Sequence, residues 1–411
     1  MPTQSKLENT WKEQKVVADD GSAQDWFGSA VAVCGDWAFI GAKNKTVGSN
    51  ASQGVVYVFK KIQGTWVQTQ KLTASDGQAV DQFGSTIAVS NGIVLIAAPF
   101  AKIGTNTWQG AVYVFTPSRS SPSSTAPWVQ RKKLVAARGT AFLTFGTSLA
   151  MNAEYALIGA GGTYSAGQQI PRTVYVFRRD KATTAASENW TEKQLLENPR
   201  PQDPGNFFGG SLTLSKDLAL IGARTSTIND NPGQGLAYVY ARSGAGWKLT
   251  DTLMASDGAP RDNFGSSVAL YENSALVGAQ GVFTVGSSGG AVYQFQPSGS
   301  GWQQTQKFSA TPGSALSLFG AAMSASNEGA LLIGAYATNN YRGAAYLFNI
   351  RKDTWLQRKE LLANDGVAGN VFGYYTALDG ETILVGSYTA QVNDNLKQGA
   401  AYFYRIPKNL P

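Results

Sequence analysis

Phe27-Gly28-Ser29-Ala30-Val31-Ala32-Val33-Cys34-Gly35-Asp36-Trp37-Ala38-Phe39-Ile40-Gly41-Ala42 consists of two apolar runs joined by a tight turn at Cys34-Gly35-Asp36. Strand-length apolar segments reversed by so short a turn predict an antiparallel hairpin. The hairpin decides the fold because it returns. Phe-Gly recurs at Phe83-Gly84, Phe145-Gly146, Phe208-Gly209, Phe264-Gly265, Phe319-Gly320 and Phe372-Gly373, seven pairs spaced 53 to 63 residues apart. About a dozen residues after each pair comes an Ile/Val-Gly-Ala-like triplet, as at Ile40-Gly41-Ala42, Ile221-Gly222-Ala223 and Ile333-Gly334-Ala335, with Ala97-Ala98-Pro99 the most divergent copy. Repetition at such a period marks a solenoid, propeller or array.

Two more markers complete the unit. A Gly-Ala-x-Tyr-x-Phe-like strand occurs at Gly110 to Phe115, Gly290 to Phe295 and Gly343 to Phe348, with variants at Gly54, Gly235 and Gly399; the third copy reads Arg172-Thr173-Val174-Tyr175-Val176-Phe177 and lacks the glycine. A tryptophan opens a more polar strand at Trp11, Trp66, Trp128, Trp190, Trp247, Trp302 and Trp355. Each unit therefore holds four strands of ordinary length. The first three are apolar on both faces and need partners above and below; the Trp strand alternates polar residues and belongs at an outer edge.

The ends of the chain predict closure. The last unit stops after its third strand at Tyr402-Phe403-Tyr404, and the chain begins with an orphan Trp strand, residues 11–17. That strand completes the seventh blade of an all-β, seven-bladed propeller of four-stranded antiparallel blades. Residues 1–411 then form a single domain, with repeats beginning near 27, 83, 145, 208, 264, 319 and 372.

Composition agrees with this reading and narrows the chemistry. In 411 residues, 43% are hydrophobic and 15% charged, with 46 glycines, which suits short strands and many turns. Lys and Arg exceed Asp and Glu by 34 to 27, and the basic residues are scattered, so nucleic acid is a disfavoured partner. The lone Cys34 excludes a disulfide framework, and the absence of histidine removes imidazole bases, Ser-His and Cys-His pairs and nearly all zinc sites. No apolar run approaches the length of a membrane span, so no membrane insertion is expected, and the first residues contain no signal-peptide pattern.

The motifs resemble those of the FG-GAP repeat family, whose members include the N-terminal propeller of integrin α-subunits and many bacterial surface proteins. The resemblance spans Trp11 to Tyr404. It implies the propeller fold and an extracellular or cell-surface setting, but the family is functionally mixed. In the integrin relatives, calcium sits in an Asp-rich loop between a blade's first two strands. The corresponding connections here are tight turns such as Ser90-Asn91-Gly92 and Asp379-Gly380-Glu381, so those sites do not carry over.

Acidic residues recur elsewhere, in the loop entering a blade: Asp20-Gly21 with Asp25, Asp76-Gly77 with Asp81, and Asp257-Gly258 with Asp262, while Asp365-Gly366 is followed by Asn370. Two carboxylates across a glycine turn could gather Ca²⁺, the one cofactor the sequence suggests. Structurally, the same residues make the turn and accept backbone N–H bonds. The connections from second to third strand are expected to vary most, and they carry Trp108, Tyr164, Phe283, Tyr336, Tyr341 and Tyr388. Those loops share a face with the inter-blade loops, which makes it the candidate ligand-binding surface; the aromatics could equally cover small loop cores. Asn229-Asp230-Asn231 and Asn393-Asp394-Asn395 are polar loop tips with the same two readings.

Three functions fit. The first is a non-catalytic binding or adhesion module for a protein or glycan partner. The second is a structural propeller subunit of a larger surface assembly. The third is a polysaccharide-acting enzyme using an Asp/Glu pair.

Overall fold

The computed structural model describes residues 11–118, 126–162, 164–165, 168–180, 188–244, 246–282, 289–311, 313 and 316–407, the side chains of 164–165 and 168–169 excepted. Phe27–Cys34, Trp37–Ala42, Val55–Ile62 and Thr65–Leu72 pair in that order as antiparallel neighbours and form blade 1. Five further sheets repeat the order along the chain as blades 2 to 6. Blade 7 takes Tyr375–Asp379, Thr382–Ser387 and Ala400–Arg405 from the C-terminal end and Gln14–Val16 from the N-terminal end. Gln14 lies opposite Phe403, Lys15 opposite Tyr402 and Val16 opposite Ala401. The ring is a seven-bladed all-β propeller closed by the N-terminal strand.

The repeated residues meet where blades meet. Each Phe of a Phe-Gly pair is buried and packs edge-on against the tyrosine of its own blade's third strand, with ring centroids 5.3 to 5.6 Å apart. The glycine of that pair holds a positive φ, +89° at Gly28, and sits against the preceding blade: a Cβ there would stand 2.5 Å from the Ala400 carbonyl oxygen.

The Trp strands form the outer edge and also tie the blades together. In several blades a glutamine of the Trp strand reaches the backbone of the next blade's tryptophan. Gln70 donates through Nε2 to the Trp128 carbonyl and accepts from its N–H, both at 2.8 Å, and Gln194 to Trp247 and Gln306 to Trp355 repeat the pair. Gln14 does the same to Trp66, so the clamp runs across the closing junction. The inner strands of all seven blades surround an axial cavity of about 310 Å³, whose lining includes Met151, Thr213, Met323, Ser324 and Thr376 and no titratable side chain. Among the described residues no helix is long and apolar enough to cross a membrane.

Candidate functional site

The loops entering each blade and the connections from second to third strand emerge together, joined by backbone bonds such as Val80 N–H to Ala51 O and Phe142 N–H to Thr107 O. On this face the Asp-Gly loops brace the blades. Asp20 accepts from the Tyr57 hydroxyl at 2.7 Å and from Lys71 Nζ at 2.9 Å; Asp76 with Tyr113 and Lys133, Asp257 with Tyr293 and Lys307, and Asp365 with Tyr402 and Lys15 repeat the triad. Partial burial raises each of these carboxyls, but the tyrosine and lysine bonds outweigh it and hold all four below the ordinary value.

The second acid of each loop closes the turn. Asp25, Asp81 and Asp262 accept the N–H of Ser22, Gln78 and Ala259, and Asn370 accepts that of Val367. Asp25 also pairs with the buried Lys45 at 2.9 Å. A calcium ion entering these loops would displace an ammonium from the first carboxylate and would still find only two acidic side chains where about six oxygens are needed. Among the described residues no three potential metal-ligating side chains cluster.

Four of the seven connections from second to third strand are alike. Those of blades 1, 2, 4 and 7 share an Ile/Val-x-x-Asn-x-x-Gln-Gly pattern: Val47, Ile103, Ile228 and Val392 bridge to Asn50, Asn106, Asn231 and Asn395, whose amides donate to Gln53, Gln109, Gln234 and Gln398. The expected variability therefore belongs to blades 3, 5 and 6, and Asn231 and Asn395 are scaffold. Trp108 is held in this scaffold, edge-on to Phe100 and Phe142 at 5.4 and 5.5 Å, and 38% exposed. Phe283 lies outside the described residues, as does the side chain of Tyr164, whose backbone pairs with Gln169 in a small hairpin.

Tyr336, Tyr341 and Tyr388 come together. Tyr336 stands 6.4 Å from Tyr341 and 4.6 Å from Tyr374; Tyr374 is 5.2 Å from Tyr388, and Tyr388 is 5.3 Å from Trp26, over which Lys43 lies at 5.1 Å. Tyr336, Tyr388 and Lys43 directly follow the glycine triplets, Trp26 precedes a Phe-Gly pair, and Tyr374 follows one. All these positions ring the loop-side end of the axis. Burial pushes the Tyr388 hydroxyl up to about 12, with Tyr374 adding to the shift, so it stays a neutral donor. Asn339, Asn340 and Tyr341 form a left-handed turn, φ 51°, 56° and 61°, that leaves Tyr341 52% exposed.

A second group stands at blades 3 and 4, where the repeat breaks. Thr173 lies opposite Ala160 as Ala111 lies opposite Ala98, so Arg172 occupies the place of Gly110. In the six glycine-bearing blades a Cβ at that place would fall 2.0 to 2.3 Å from the next blade's Phe carbonyl. The arginine fits because the junction beyond it is rebuilt. Elsewhere the Phe N–H donates across the junction, as Phe145 does to Gln109 O; Phe208 N–H turns instead to Asn206 Oδ1 of its own loop, at 3.0 Å. Arg172 and Arg224 both lie over the Phe207 ring, at 3.9 and 4.4 Å from its centroid.

Six segments of the chain, 11–59, 66–115, 128–177, 247–295, 302–348 and 355–404, match the model of the FG-GAP repeat. The chain belongs to the FG-GAP repeat family. The FG-GAP unit left unmatched runs from Trp190 to Tyr240 and contains both Phe207 and Arg224. No curated protein sequence matches significantly. Among solved structures the propeller is similar to a chain of one titled "Crystal Structure of Mitotic Checkpoint Complex", with a TM-score of 0.52 and 10% identity over 97% of this chain and 94% of that one, a likeness of fold alone. The FG-GAP propeller is a binding or structural module, and the family is generally non-catalytic.

Of the mouth residues, sequence reasoning missed Trp26, Tyr374, Phe207, Arg172 and Arg224 as site residues. The missing glycine was the signal for Arg172; the other four carry none in the sequence.

Proposed function

We propose that this FG-GAP propeller is a non-catalytic recognition module that engages a protein or glycan partner through the loop-side mouth of its axis. The observation carrying this reading is the arc of stacked aromatic and cationic side chains, Lys43, Trp26, Tyr388, Tyr374 and Tyr336 on one side and Arg224, Phe207 and Arg172 on the other. Phe-Gly, the glycine triplets, the Asp-Gly triads and the Asn/Gln loop clamps all serve folding and recur around the ring. The residues of the arc stand at fixed places beside the repeated motifs, but their identities do not recur around the ring, and folding gives them no shared task. Aromatic faces and desolvated cations are the groups that dominate recognition surfaces.

Glycan arrays and capture of surface proteins with wild type and with a Tyr336→Ala/Tyr388→Ala variant test the proposal. Binding lost in the variant supports it; binding equal in both contradicts it.

A further inference from the structure

We propose that the pocket between blades 3 and 4 binds the carboxylate of an acidic sugar residue, and that the aromatic arc stacks neighbouring rings of the same glycan. The inference rests on the reading of the loop-side mouth as a recognition surface and names its ligand class.

The pocket has a volume of about 330 Å³ and is bounded by Phe100, Phe207, Arg172, Arg224, Thr144 and Thr147. That is at the lower end for ligand sites and suits one residue-sized group. Its two guanidiniums have no acidic partner among the described residues: none of the ion pairs there includes Arg172 or Arg224. Arg172 Nε is buried without an acceptor among the described residues. Two like charges held over one ring, one of them with an unmet donor, are costly until an anion arrives. Burial, and then the charge of Arg224, push Arg172 down to about 10, which leaves it protonated at neutral pH.

A carboxylate matches the planar guanidinium fork. The ring walls argue for a sugar over a slim acidic side chain, and the hydroxyls of Thr144 and Thr147, which donate to Leu143 O and Gly159 O, keep lone pairs that can accept from a sugar hydroxyl. Arg224 directly follows the glycine triplet of blade 4 as Tyr336 follows that of blade 6 and Tyr388 that of blade 7, so pocket and aromatic arc stand at equivalent places around the loop-side end of the axis. Lys43, at the far end of the arc, is a second desolvated cation without an acidic partner among the described residues. A polymer that alternates flat rings with carboxylates fits this sequence of surfaces.

The test is calorimetric titration of the full chain with trigalacturonate, with maltotriose as the neutral sugar and tri-glutamate as the acidic non-sugar. The expected result is trigalacturonate binding about ten-fold or more tighter than either control, weakening with salt. Arg172→Gln and Arg224→Gln should each lower the affinity by about ten-fold. Because both side chains also pack on Phe207, Arg224→Lys is measured alongside; it keeps the charge, loses the fork and should fall between wild type and Arg224→Gln. Equal binding of maltotriose, or arginine variants that bind trigalacturonate like wild type, overturns the acidic pocket. Equal binding of tri-glutamate overturns the sugar. Wild type that binds none of the three, while partner capture through Tyr336 and Tyr388 persists, overturns the assignment and leaves the recognition surface standing. Loss of that capture as well removes the recognition reading itself.

Discussion

Gly41 of blade 1 faces Gly84 of blade 2 so closely that a Cβ on Gly41 would fall 2.2 Å from the Gly84 carbonyl oxygen. Gly222 against Gly265 and Gly278 against Gly320 repeat the contact at the same distance. The Phe-Gly pair and the glycine triplet are thus two sides of one junction. Gly41→Ala should destabilise the propeller by about 1 to 3 kcal/mol, the range for forcing a methyl into a packed core. In blade 2 the strand register makes Ile96-Ala97-Ala98, one residue earlier than the Ala97-Ala98-Pro99 read from the sequence, the counterpart of Ile40-Gly41-Ala42; Ala97 thus takes the glycine's place and packs on Gly146, so Ala97→Gly should cost about 1 kcal/mol through lost contact and added chain freedom. Thermal unfolding of the two variants checks the order.

Closure predicts a localised effect. Removing residues 1–17 deletes the pairing of Gln14–Val16 with Ala401–Phe403, the Gln14 clamp on Trp66 and the bond from the Tyr404 hydroxyl to Glu13. Hydrogen exchange should accelerate first in Ala400–Arg405 and Thr382–Ser387, with blades 3 and 4 protected longest. Uniform acceleration around the ring would show that the N-terminal strand is not the closing element.

The Asp-Gly triads set the acid limb of stability. Asp20, Asp76, Asp257 and Asp365 have folded-state values below their unfolded ones, so their contribution is present above about pH 4, the unfolded carboxyl value, and is lost as pH falls through the depressed values. Asp81 and Asp262 are raised, chiefly by burial, and act in the opposite sense. Asp76→Asn should flatten the fall of the melting temperature below pH 4. Asp81→Asn, which blade 7 already carries as Asn370, should leave it nearly unchanged at pH 7.

Cys34 should be slow to alkylate. Burial, then the charge of Asp379, push its thiol up, which lowers the thiolate fraction at neutral pH. Iodoacetamide labelling should be slower than for a free thiol and should reach that rate in denaturant.

The fold was legible in the sequence because propeller junctions impose the same steric demand seven times. A glycine is required wherever a Cβ would strike the next blade, and Phe27, Phe83 and their counterparts recur because each fills one identical slot. Closure was legible from the orphan strand at Trp11. The Asp-Gly loops showed their spacing but not their partners, because Tyr57 and Lys71 sit 37 and 51 residues from Asp20 in the chain and meet it only when the blade forms. The Asn/Gln pattern at Asn50 and Gln53 was present and passed for loop variability. The mouth was the least legible part. Trp26, Phe207, Tyr374 and Arg224 sit at repeat positions that folding leaves free, so no periodicity marks them, and only their assembly around the axis shows them as neighbours.

The most direct measurement of the central claim is hydrogen exchange of the full chain with and without the partner obtained by capture or array. The account predicts protection in peptides covering Trp26, Phe207, Arg224, Tyr336–Tyr341 and Tyr388, with none at Gly35, Gly92, Lys216 and Gly380 on the opposite face. Protection on the opposite face with an unchanged mouth would contradict it.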